Sequence, residues 1–137
     1  MDAQEKPISV VLFSGTDDKL TAAAVLAVGA AAMGRPVNIF LQYYALDAFR
    51  AGKLCADHGL ASEATAGQAS SVHGHRGQHW SELLQQAKDV GEVDIQACAL
   101  SMDMYGISRD DLDPLVDGVE GVAAFIASVS DGQVVFI

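Results

Sequence analysis

Basic residues are scarce in this 137-residue chain, where Lys and Arg number 8 against 18 Asp and Glu, for a formal net charge of −10. Nucleic acids and anionic membranes are held through basic patches that release counterions, so the balance argues against both as partners. Cysteine is scarce as well, with two in the chain, Cys55 and Cys98, and no Cys-x-x-Cys pair. The start, Met1-Asp-Ala-Gln-Glu5, lacks the basic region of an export signal, so the two read as reduced thiols in a cytoplasmic protein. No apolar run suffices to span a bilayer, since the longest, residues 20–33, is too short and too rich in alanine. The spaced lysine of a phosphate-binding loop and the three glycines of a dinucleotide fingerprint are both missing, so no nucleotide cofactor is expected.

What is there is a chain with 50% hydrophobic residues, enough for a core and read as a single domain over residues 1–137. Residues 8–13 form a near-continuous apolar run between Pro7 and Ser14-Gly15, the pattern of a central parallel strand covered on both faces. Thr16 is placed to cap an alanine-rich helix, with Asp17 and Asp18 against its positive end and Gly34 stopping it before Pro36. A strand over residues 37–41 completes a strand-helix-strand unit, which implies a parallel pair and a right-handed crossover. Beyond it the pattern predicts a helix over 44–57, a mobile loop over 61–77, a helix over 80–88 and a strand over 93–97. Ser108 and Asp111 resemble a capping box opening a short helix, followed by a short strand over 116–119, a helix over 121–129 and a strand over 133–137. The alternation predicts an α/β fold, a three-layer α/β/α arrangement with about five mostly parallel strands.

The segment Asp94-Ile-Gln-Ala-Cys98-Ala-Leu-Ser-Met-Asp103-Met-Tyr-Gly106 carries the chemistry. It sets a thiol where an apolar strand runs out into a polar turn, and in a parallel sheet the carboxyl ends of the strands form the ligand crevice. A helical turn starting at Ala99 would favour thiolate over thiol. Cys98 is therefore the candidate nucleophile, with inert core packing as the competing reading; Cys55, in the expected 44–57 helix, reads as core. Ser14, Gly15 and Thr16 offer backbone N–H groups at a helix start, with Lys19 close by, as either a shallow anion pocket or an ordinary turn. Tyr43 and Tyr44 face the same sheet edge, as an aromatic wall or as packing. Ser101 and Asp103 are the polar neighbours of the thiol. Asp103 reads as structural, because a carboxylate beside a thiolate opposes its formation, while Gly106 permits a backbone conformation closed to other residues. His73, His75 and His79 suggest a metal, but their spacing around flexible glycines matches no fixed ligand arrangement, so a solvated loop is expected and no metal ligand is assigned.

In order and spacing these motifs resemble the DsrE/DsrF-like sulfur-carrier family, in which a strand ends in Ala-Cys and is followed by Ser-Met-Asp and then Gly, here Ala97-Cys98, Ser101-Met102-Asp103 and Gly106. Ser14-Gly15-Thr16 with Asp18-Lys19, Ala32-Met33-Gly34, Val37-Asn-Ile-Phe40 and Gly118-Val-Glu120-Gly-Val-Ala-Ala-Phe125 extend the likeness to most of the chain outside residues 45–77. The resemblance implies the fold of that family and a sulfurtransferase-like carrier, in which Cys98 holds a sulfane sulfur as persulfide, or a thiosulfonate group, and passes it on. It further implies sulfur donor or acceptor proteins as partners, small sulfur anions as substrates, and a homo-oligomer, a trimer or a multiple of one. The acidity of the chain makes delivery by a basic partner protein easier than capture of free thiosulfate. Two alternatives stay open, a noncatalytic assembly or regulatory subunit with an inert Cys98, and a metal-binding protein using the His73 to His79 loop. A thiol peroxidase is disfavoured, since the arginine and proline context of a peroxide-reducing cysteine is missing.

Overall fold

A computed structural model describes residues 6–137; the Met1 to Glu5 start, read above for an export signal, lies outside the described residues. Ile8–Leu12 (β1) is the apolar run after Pro7, and its β-branched residues suit a pleated, buried position. The alanine-rich helix Asp17–Ala32 (α1) follows and ends at Gly34, whose φ of 78° is the left-handed value that favours glycine. Val37–Leu41 (β2), Tyr43–Ala48 (α2), Ala66–Gly74 (α3) and Trp80–Val90 (α4) come next. Val93–Cys98 (β3), Ala99–Tyr105 (α5), Gly118–Glu120 (β4), Val122–Val129 (α6) and Gln133–Phe136 (β5) complete the chain.

The five strands form one sheet in the order β4-β3-β2-β1-β5, with every pairing parallel. From β1 to β4 each step moves to the next position on one side, and the last connection returns across the sheet to the far side of β1. Right-handed crossovers put connections that run in opposite directions on opposite faces of the sheet. Accordingly Val10, Leu12, Ile39, Leu41, Ile95 and Ala97 share one core with α1 and α4, whereas Phe40 and Cys98 pack on the other face under α6. Small residues let the first core close tightly. Ala23, Ala24, Ala27 and Ala31 present the buried stripe of α1, at spacings of three and four, to the sheet and to Trp80, Leu84 and Ala87 of α4. No described helix is long and apolar enough to cross a membrane.

Three local expectations need correction. The helix expected over residues 44–57 stops at Ala48, because the chain is drawn off to pair with residues 111–113. The Ala51 amide donates to the Asp111 carbonyl, the Asp113 amide donates to the Phe49 carbonyl, and Arg50 bridges Leu112. Residues 61–77 contain α3, opened by a capping box in which Thr65 Oγ1 accepts from the Gln68 amide and Gln68 Oε1 accepts from the Thr65 amide. The short strand expected over 116–119 is displaced to Gly118–Glu120. Ser108 and Asp111 do form a capping box, on a single 3₁₀ turn, Arg109–Asp111.

Asp17 and Asp18 fasten the start of α1 to its surroundings. Asp17 accepts from Trp80 Nε1 at 3.0 Å and from the His58 amide at 3.0 Å, and Asp18 accepts from the Ala61 amide at 3.1 Å. Burial works against ionisation of Asp18, but the hydrogen-bond donors around it, the amides of Ala61 and Lys19 among them, outweigh that effect and lower its pKa. Its contribution to stability is therefore full above the unfolded-state value, about pH 4, and is lost as the pH falls through the lower folded-state value. In urea titrations over a pH series, Asp18→Asn should show a shallower loss of stability on acidification than the native chain.

Candidate functional site

All five strands are parallel, so their carboxyl ends gather on one edge, the edge at which α1, α4 and α5 begin. Cys98 is the last residue of β3 and the N-cap of α5. Its thiol is not open, however, with only 4% of the residue exposed. The expectation of a solvent-facing thiol is corrected by strand parity. Ile95 and Ala97 point to the α1 face, which leaves Cys98 on the opposite face, in a small cluster with Phe40 and Phe125. Those two rings stack at 4.7 Å with an interplanar angle of 11°. Although Cys98 holds the cap position, its side chain makes no cap hydrogen bond with α5. Cys55, expected in the core, is the exposed cysteine, because the helix meant to bury it ends before reaching it.

Glu120 is a site neighbour that the motif reading missed. It stands in register with Cys98 across the β3–β4 pair, and its carboxyl pKa is raised, by burial first and then by the charge of Asp94. Only the pairing of β3 with β4 reveals it.

The Ser14-Gly15-Thr16 turn packs closely against the start of α2. A Cβ at Gly15 would run into the Tyr44 carbonyl, so glycine is required by the close approach of two backbones. The Ser14 amide donates to the Ile137 carbonyl at 3.1 Å and the Asp17 amide to the Gly59 carbonyl at 2.8 Å, which leaves the Gly15 and Thr16 amides as the N–H groups without a backbone acceptor among the described residues. Thr16 occupies the N-cap of α1, but its side chain makes no cap hydrogen bond. Ser14, Gly15, Thr16 and Tyr44 line one depression of about 380 Å³, whereas Lys19 lines a separate one against α3.

Tyr43 and Tyr44 contribute to an aromatic cluster at this edge. The Tyr43 ring stacks on Phe13 at 4.6 Å and meets Tyr105 edge-on at 6.5 Å; Tyr44 meets Phe13 edge-on at 5.5 Å. Tyr43 has a left-handed φ of 45°, a strained value for a residue with a side chain. Ser101, fully buried, holds it there, for its Oγ accepts from the Tyr43 amide at 3.1 Å. Asp103 is exposed and borders a hollow of about 520 Å³ with Leu100 and Val119. Its carbonyl accepts from the Gly106 amide, and Gly106 has the left-handed φ of 63° that the sequence suggested. His73 lies in the last turn of α3, His75 is the C-cap of that helix and His79 caps α4. Among the described residues no three His, Cys, Asp or Glu side chains gather as metal ligands would.

With this geometry in view, known proteins supply the class. The sequence profile of the DsrE/DsrF/DrsH-like family matches residues 4–62 and 59–137, including the stretch that the motif reading left out. The chain belongs to that family. YrkE, an uncharacterized protein of Bacillus subtilis strain 168, is 30% identical over 158 aligned positions that cover 98% of each chain. The solved structure of MTH1491, a protein of unknown function from Methanobacterium thermoautotrophicum, superposes with a TM-score of 0.60, covering 97% of this chain and 100% of that one at 14% identity. That likeness supports the fold.

Two outcomes follow from these placements. Native-state alkylation mapped by peptide mass should label Cys55 before Cys98, the reverse of what the motif alone suggests. Ser101→Ala should cost about 1–3 kcal/mol in urea unfolding, because it strips the partly buried Tyr43 amide of its acceptor.

Proposed function

We propose that the protein is a sulfur carrier that holds a sulfane sulfur, or a thiosulfonate group, on Cys98 and passes it to a partner protein. The observation that carries this reading is the position of Cys98, at the junction of β3 and α5 on the carboxyl edge, in a chain of the DsrE/DsrF/DrsH-like family. In loading, the deprotonated Cys98 sulfur attacks a donor's sulfane sulfur, the donor S–S bond breaks, and the donor departs as its own thiolate. Unloading is the same exchange with an acceptor thiolate. Neither step calls for a cofactor.

Since Cys98 lies beneath α6, exchange requires that helix to lift. Phe125 is the one side chain that α6 buries, so within the protomer a single anchor holds the helix down. Docking of a donor protein is the natural trigger, and the cytoplasm, where thiols stay reduced, is the fitting compartment. A second reading, a noncatalytic assembly subunit, is favoured by one specific observation, the 4% exposure of Cys98. Both readings share self-association. Val122 and Ile126 of α6 and Val134 and Phe136 of the edge strand β5 are exposed apolar residues, and we infer that a second copy of the chain covers them in a trimer or a multiple of one.

Intact-mass analysis of the Cys55→Ser protein after incubation with tetrathionate or a persulfide donor tests the function. A reductant-reversible adduct on Cys98, lost in the Cys55→Ser, Cys98→Ser double variant, is expected. Phe125→Ala should load faster while costing about 3–5 kcal/mol of stability. No adduct in either the Cys55→Ser protein or its Phe125→Ala derivative would favour the assembly subunit. Light scattering should find that Ile126→Glu combined with Phe136→Glu shifts the protein towards monomer.

A further inference from the structure

A separate cavity of about 740 Å³ opens between the start of α1, helix α3, the start of α4 and the loop around Cys55. Its size falls within the range of small-molecule pockets, roughly 300–1,000 Å³. Leu60 and Val72 give it apolar walls, the buried Trp80 meets it only at an edge, and Asp17, Asp18 and Asp57 stand along it. None of these three carboxylates forms an ion pair among the described residues, whose ion pairs involve Asp47, Asp117 and Asp131. Their hydrogen bonds to Trp80 Nε1 and to the amides of His58, Ala61 and Gly59 fix their positions, and although the positive end of α1 meets Asp17 and Asp18, no Lys or Arg lines the cavity beside them. The imidazoles of His73, His75 and His79 border the same space. The α3 wall buries no side chain of its own, so it can adjust to an occupant without disturbing the core.

We propose that this cavity binds a small organic cation, an aryl or alkyl ammonium compound whose apolar body rests on Leu60 and Val72 while its charge faces the three carboxylates. Apolar walls favour such a ligand over a bare metal ion, and a rim that holds three carboxylates and no Lys or Arg disfavours its anionic counterpart. The inference is independent of Cys98, because the cavity lies on the α1 and α4 side of the sheet and Cys98 on the other.

Two reporters already stand in the cavity. Trp80 is the single tryptophan of the chain, and Cys55 is its exposed thiol. Titration with benzyltrimethylammonium should change Trp80 fluorescence saturably and, over the same concentrations, protect Cys55 from iodoacetamide; 3-phenylpropionate should do neither. Asp57→Asn, which retains an oxygen to accept from the Gly59 amide, should weaken binding about fivefold. Ser71→Lys, on the wall that buries no side chain, should weaken it to a similar degree. The proposal is overturned by an absence of saturation, by equal binding of the carboxylate, by saturation without protection of Cys55, or by unchanged affinity in both variants.

Discussion

The structure depends on the handedness of its crossovers. Four strands are laid down in one direction and the fifth is reached by a return across the sheet, so right-handed connections place α1 and α4 on one face and leave α6 on the other. One face thus receives a thick core of aliphatic residues around Trp80 and Phe49. The other is covered mainly through the stacked pair Phe40 and Phe125, with Val11 and Val129 beside it. Cys98 lies in this thin layer, shielded from solvent by a helix that contributes a single buried side chain. The apolar residues left exposed on α6 and β5 belong to the same asymmetry.

Much of the fold was legible because its signals are local. The apolar run of β1, the alanine stripe of α1, Gly34 and the strand leading to Cys98 each declare themselves within a few residues. The Thr65-Ala-Gly-Gln68 capping box was equally local, but its setting among alanine, serine and glycine, without an apolar period, made residues 61–77 read as a loop. The end of α2 could not be foreseen from residues 44–57. It is set by backbone hydrogen bonds to residues 111–113, more than fifty positions away in sequence.

The site was legible in part. Placing Cys98 at the carboxyl edge needed only the strand and its end; whether its sulfur meets solvent needed strand parity, the face taken by α6, and the ring of Phe125. The relative exposure of the two thiols came out reversed for that reason and because α2 ends before it reaches Cys55. Ser101 was singled out as a polar neighbour, and the structure gives it a definite task, holding the strained Tyr43 backbone through a hydrogen bond. The place of Glu120 beside Cys98 escaped notice because a three-residue edge strand announces neither its partner nor its register.

If Cys98 works as a carrier, its thiol must become reachable through local lifting of α6 and not through unfolding of the whole domain. The rate at which a thiol reagent labels Cys98 in native protein, followed across low concentrations of urea, decides between the two. The account predicts a labelling rate nearly independent of urea and well above the rate allowed by global unfolding, because lifting one short helix exposes little surface. A labelling rate that rises with urea as steeply as global unfolding would contradict it, since Cys98 would then be sealed for as long as the domain stays folded.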